Sequence, residues 1–215
     1  MLNEAVELSA TPSNRTLWTI IGAAMAAFAF DYVMVANGWA ESWDDDVILW
    51  IHDRSSNTLD RIMRIITDTG GVGRTIPVIL VAIFLIASKR RLETFVFLGS
   101  VVLAQGATYG LKALVQRERP GLFDLANQPT DTSFPSGHAL GSTFLFGLIA
   151  LWLWDQGIRL PAVALVIWAL LVSFSRVYLG AHHPTDVFAS ICLGVAFLAA
   201  TVLVYNHLNT EVSLS

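Results

Sequence analysis

The sequence predicts an all-α integral membrane protein: a bundle of six transmembrane helices with an amphipathic surface segment between the first and second. Three observations predict it. Of the 215 residues, 54% are hydrophobic and only 14% charged, against about 25% charged in a soluble domain. Mean hydropathy is +0.59. Apolar runs long enough to cross a bilayer core of about 30 Å as helices cover 17–38, 75–88, 93–115, 138–155, 160–179 and 185–206. The whole chain, 1–215, reads as a single domain with short connections.

Taken in order, residues 1–16 are polar and mildly acidic, "MLNEAVELSATPSNRT". They lack the basic start and small-residue cleavage site of a secretory signal, so the first apolar run is expected to stay in place as a span. Asp31 falls inside that run, where an acid is costly and usually functional or paired. Lying nearer the outer end, it either snorkels or hydrogen-bonds across helices, and a structural or substrate-channel role is expected.

The connection 39–74 places Ile48, Leu49, Ile51, Leu59, Ile62, Met63, Ile65 and Ile66 at roughly helical spacing, with acids and arginines between them. Trp39, Trp43 and Trp50 suit the lipid–water boundary. One or two amphipathic helices on the membrane surface are expected, with a small cap domain as the alternative. The second apolar run is short, bounded by Arg74 and Lys89. Trp18, Trp152 and Trp154 read as interfacial belt residues, His52 and His207 as caps or interfacial groups. Cys192, the single cysteine, lies in an apolar run as a small packing residue and leaves no internal disulfide possible.

A net charge of −4 without a basic tail gives no sign of a nucleic-acid partner. With six spans, the termini share a side with turns 89–92 and 156–159. That side carries five of the thirteen lysines and arginines, the other eight. The positive-inside rule, applied literally, would put the larger group in the cytoplasm. Three of the eight belong to the anion site described next, and without them the count ties. The compact Lys89-Arg90-Arg91 turn then puts the termini inside.

Three stretches emerge on one face of such a bundle: "KALVQRERP" at 112–120, "PSGH" at 135–138 and "SRVYLGAHHPTD" at 175–186. Lys112 and Arg119 are seven residues apart, two helical turns, and would share a face, with Pro120 stopping the helix. Arg176 adds a guanidinium whose fork matches phosphate oxygens. Cations converging at a membrane surface imply an anionic ligand. At an effective dielectric near 20, each contributes about 4 kcal/mol at about 4 Å. Such a cluster can do the electrostatic work a metal does elsewhere. Neither metal nor cofactor is expected.

Ser136, Gly137 and His138 open the fourth span, where free N–H groups attract an anion. Gly137 lets the backbone approach closely, Ser136 adds a hydroxyl donor, and His138 is suited to protonate a leaving oxygen. A neutral His182 can attack phosphorus if a carboxylate holds its other nitrogen. Asp186, four residues on and just inside the sixth helix behind Pro184, is placed for that. His183 is secondary on this reading. Arg117 and Glu118 read as a solvated helix end.

These three stretches resemble, in residue, spacing and order, the signature motifs of the type 2 phosphatidic acid phosphatase family. That family includes bacterial lipid phosphatases and, more distantly, glucose-6-phosphatase and vanadium haloperoxidases. "ITDTGG" at 66–71 also resembles the segment before the second span of bacterial members. The resemblance implies a metal-independent phosphohydrolase in the bacterial inner membrane with its site on the outer face. It implies His182 as the nucleophile of a phosphohistidine intermediate, Asp186 as its orienting group and His138 as the acid. Lys112, Arg119, Ser136, Gly137 and Arg176 would hold the phosphoryl oxygens. Expected substrates are polyprenyl diphosphates, phosphatidate or phosphatidylglycerophosphate, with 121–134 and 39–74 setting the choice. A phosphotransferase using the same intermediate is the alternative enzyme; a non-catalytic lipid or anion transporter is the alternative outside catalysis.

Overall fold

The computed structural model of the protein describes residues 12–122 and 131–214. The polar start of the chain and most of the 121–134 loop therefore lie outside the described residues. Among the described residues eight α-helices run in order: α1 Asn14–Ala36, α2 Glu41–His52, α3 Asn57–Gly70, α4 Thr75–Ala87, α5 Arg91–Val115, α6 Gly137–Asp155, α7 Arg159–Tyr178 and α8 Pro184–Leu214. A short 3₁₀ turn, Val72–Arg74, joins α3 to α4. Local chemistry sets several starts. Ser13 caps α1, its hydroxyl accepting from Thr16 N at 3.2 Å, and Ser56 caps α3 through Leu59 N at 3.3 Å.

Five helices (α1, α5, α6, α7 and α8) are long and apolar enough to span a membrane. The sixth path is α3 continued by Val72–Ala87 across a 45° bend, because α4 alone has only 13 residues. At about 1.5 Å per residue it is too short for the hydrocarbon core. The segment 39–74 does form two amphipathic helices, but neither merely rests on lipid. α2 buries Asp44, Ile48 and Ile51, and α3 packs Met63 and Ile66 into the core shared with α7. At its end Gly70 fits against Val172 of α7 and Ser142 of α6, where a Cβ would come within 2.3 Å and 2.9 Å of their side chains.

The core is built on α6, α7 and α8. Gly194 of α8 rests on α6 so closely that a Cβ there would stand 2.7 Å from Thr143 Cβ and 3.0 Å from the Leu140 carbonyl. α1 packs along α8 through Leu17, Ala199 and Val202. Phe28 and Tyr32 reach from α1 to Phe134, with ring centroids 6.1 and 6.2 Å away. Asp31 does not snorkel: it is 6% exposed, and its Oδ2 has no hydrogen-bond partner among the described residues.

One expected element end is wrong. Pro120 does not stop α5; Gln116 does, by entering the left-handed region at φ 50° while its N–H closes on the Lys112 carbonyl. Arg119 is thus on the strand of chain beyond the helix, not two turns along it from Lys112.

Gly194→Ala is expected to destabilise the bundle by about 1–3 kcal/mol through overpacking, seen as a lower thermal midpoint in detergent. Gly22→Ala on α1, where a Cβ meets nothing within 4 Å, controls for helix propensity. An equal or higher midpoint for Gly194→Ala would refute the close α6–α8 approach.

Candidate active site

Every predicted site residue lies at the end of the bundle where α5 and α7 finish and α6 and α8 begin. Lys112 and Arg119 meet through Asp131. Its carboxylate takes Lys112 Nζ at 3.0 Å and Arg119 Nη2 at 2.5 Å. Lys112 Nζ also donates to the Thr132 carbonyl. Partial burial pushes the Asp131 carboxyl up, but hydrogen bonds from Lys112 and Arg119 outweigh it and hold it down at about 2. Arg176 is differently placed. Only 7% exposed, it donates from Nη1 to Thr67 Oγ1 at 2.7 Å. Among the described residues its Nε has no partner and no carboxylate pairs with it. A buried guanidinium with unused donors is costly and calls for an anion.

His182 stands beside these cations, its Nε2 3.1 Å from Arg119 Nη1. The loop that carries it is fixed by Ala181 N and His182 N donating to the Arg176 carbonyl, at 3.0 and 3.2 Å. Burial above all, then Arg119 and Arg176, against an opposing pull from Asp186, lowers the His182 imidazole to about 4. It is therefore neutral at pH 7.

The expected direct bond from His182 to Asp186 is absent. Nδ1 lies 3.7 Å from Asp186 Oδ2, and Ser133 stands between them. Its hydroxyl is 3.3 Å from His182 Nδ1 and donates to Asp186 Oδ2. His183, read as secondary, is the closer ring, with Nδ1 3.1 Å and backbone N 2.9 Å from the same oxygen. Starting α8 at Pro184 turns the His183 N–H back onto the first-turn acid, an N-cap arrangement. Asp186 thus serves both histidines, one directly and one through Ser133.

The other oxygen of Asp186 corrects the reading of Arg117. Far from being a solvated helix end, Arg117 donates to Asp186 Oδ1 at 2.7 Å and to Asp44 Oδ2 at 2.7 Å. Burial alone would lower its pKa; Asp186 and Asp44 outweigh that and raise it.

At the start of α6, Ser136 is fully buried, and its Oγ accepts from Ala139 N at 3.4 Å as the helix cap. The Gly137 carbonyl accepts from Arg74 Nη1 at 2.7 Å. His138 faces the break after α3: a Cβ on Gly71 would come 2.7 Å from its Nε2. The Gly70-Gly71 pair is what lets the break approach the imidazole.

A family model described as the PAP2 superfamily matches residues 93–209, from α5 into α8. The chain belongs to the PAP2 superfamily. An undecaprenyl-diphosphatase of Sulfolobus acidocaldarius is 34% identical over 67% of this chain and 71% of its own. A decaprenylphosphoryl-5-phosphoribose phosphatase of Mycolicibacterium smegmatis is 39% identical over 46% of this chain and 53% of its own. In fold, the chain is similar to the crystal structure of a transmembrane PAP2-type phosphatidylglycerolphosphate phosphatase from Bacillus subtilis. The TM-score is 0.74 at 21% identity, covering 87% of this chain and 96% of that one.

Four residues of this PAP2 site escape the motif reading: Ser133, Arg117, Asp131 and Asp44. Asp44 had a signal, since it shares one face of α2 with the buried Ile48 and Ile51. Ser133, Arg117 and Asp131 had none beyond lying near motif residues.

Removing the Asp131 carboxylate frees both cations it occupies. Asp131→Ala is expected to tighten inhibition by inorganic phosphate or orthovanadate by about tenfold, or about 1.4 kcal/mol. Weaker inhibition would mean that Asp131 aligns the cations instead of competing for them.

Proposed function

We propose that this PAP2 phosphatase releases phosphate from a lipid phosphate or polyprenyl diphosphate through a phosphohistidine intermediate, without a metal. The observation that carries the reading is a neutral, buried His182 whose Nε2 opens onto Arg119, next to an Arg176 guanidinium with donors to spare. Such a cluster fits a phosphoryl group, because each extra negative oxygen of the transition state finds a fixed donor.

In the first step the Nε2 lone pair of His182 attacks phosphorus. The N–P bond forms as the P–O bond to the lipid breaks, and His138 gives its proton to the departing oxygen. In the second, water attacks phosphorus, loses a proton to His138, and breaks the N–P bond; inorganic phosphate leaves and His182 is neutral again. Asp186 stabilises the positive charge that develops on the imidazole, relayed by Ser133. Lys112, Arg119 and Arg176 hold the phosphoryl oxygens. Gly137 and the capped α6 N-terminus contribute the local dipole.

A polyprenyl tail suits a site at the helix ends, since the tail stays in lipid while the phosphate reaches the cations. The polyprenyl substrates in the names of two relatives support that class. With the termini inside, the site opens on the outer face of a bacterial inner membrane.

Phosphate release from undecaprenyl diphosphate, phosphatidate and phosphatidylglycerophosphate in detergent with excess EDTA tests this directly. Wild type should release phosphate from at least one, and His182→Ala should not; release that EDTA abolishes would refute the metal-free step. The pH dependence has a definite sign. His182 must be unprotonated, so kcat/KM, corrected for substrate ionisation, should hold as pH falls past 6.5 and drop only near 4. By the same linkage, the stability contributed by burying neutral His182 is full above pH 6.5 and fades as pH falls towards 4. A limb near 6.5 in folded protein would contradict the burial argument.

A further inference from the structure

The polar cluster behind Asp186 reaches a residue outside all three motifs. Asp44 of α2 is wholly buried, and a carboxylate out of water is tolerable only when its lone pairs are met. They are met by Thr185 N at 3.0 Å, Thr185 Oγ1 at 2.6 Å and Arg117 Nη2 at 2.7 Å. The other terminal nitrogen of Arg117 donates to Asp186 Oδ1 and to Thr185 Oγ1, each at 2.7 Å. One planar guanidinium therefore bridges two buried carboxylates, a task a lysine ammonium cannot share out in the same way.

This bridge fixes two things at once. It leaves Asp186 only Oδ2 for Ser133 and His183, with His182 reached through Ser133, which sets the rotation of the carboxylate. It also sets charge. Asp186 is faced by Arg117, His182 and His183, with Lys112 and Asp31 within electrostatic range. His182 is faced by Asp186, Arg119 and Arg176, and interacts with His138. How much of the Asp186 charge reaches His182 depends on how much Arg117 cancels, and Asp44 in turn offsets Arg117.

We propose that Arg117 and Asp44 are positioning residues: Arg117, aimed by Asp44, holds Asp186 toward the histidines and sets the net charge that His182 faces. The proposal rests on His182 being the nucleophile. It makes α2, in the segment between the first two spans, part of the catalytic support.

The test is kcat/KM against pH for dioctanoyl phosphatidate in detergent, with thermal midpoints to confirm folding. Arg117→Gln leaves Asp186 uncompensated, so the acid limb should move up from near 4 towards 6.5, with a loss at pH 7 on the order of tenfold or more. Asp44→Asn leaves Arg117 more positive, so the limb should move down. Arg117→Lys keeps the charge and loses the fork, so activity should fall with the limb in place. Opposite shifts for Arg117→Gln and Asp44→Asn are the expected result; limbs unmoved, or moved in one direction, in folded variants would overturn the proposal. If Asp44→Asn does not fold, the contrast between Arg117→Gln and Arg117→Lys decides alone. Phosphate release surviving in His182→Ala would instead overturn the nucleophile assignment, a separate result from an unmoved limb in Arg117→Gln.

Discussion

The site depends on one carboxylate that has no contact with water. Asp186 is fully buried, so the charge it carries is stable only because donors surround it: Arg117 on one oxygen, Ser133 and His183 on the other. Each donor comes from a different stretch: the chain after α5, the approach to α6, and the loop before α8. Their convergence is what ties these stretches together. In a low-dielectric setting, losing one partner costs far more than the pair contributed over an apolar replacement. The catalytic end of the bundle is therefore held by polar contacts, while lipid-facing helices supply the frame.

That frame determines the depth at which chemistry takes place. α5 and α7 end, and α6 and α8 begin, at one level, and the bend between α3 and α4 brings Gly71 to His138 at the same level. Helix starts present N–H groups and helix ends release side chains from the hydrogen-bonded ladder. Charged groups can gather there without crossing hydrocarbon. The resting cluster is partly balanced by Asp131, while Arg176 is left without a carboxylate. On the proposed reading, an entering phosphoryl group would complete this electrostatic arrangement.

Much of this was legible in the sequence, and the exceptions have physical causes. Five spans announce themselves by length and hydropathy, but α4, with 13 residues, reads as a short span because its other half, α3, is amphipathic. The motif residues stand out in the sequence because Lys, Arg and His beside apolar runs are rare. Arg117 looked solvated because an arginine next to a glutamate near a helix end usually is, and only tertiary contact with Asp44 says otherwise. Asp44 sits within three consecutive acids, which disguises the one on the buried face. The Lys112–Arg119 pairing came out in place for a different reason than the spacing suggested: the helix ends at Gln116, and Asp131, not helical periodicity, brings the two together.

The seam between α1 and α8 joins two helices far apart along the sequence. During synthesis α1 enters the membrane with Asp31 already inside it, and its main packing surface does not exist until α8 emerges. Until then the acid has only lipid, water or the insertion machinery for company. The α1–α8 seam is therefore a long-range contact of the kind that forms slowly. A chain cut short before α8 would leave that acid inside α1 with its packing surface missing.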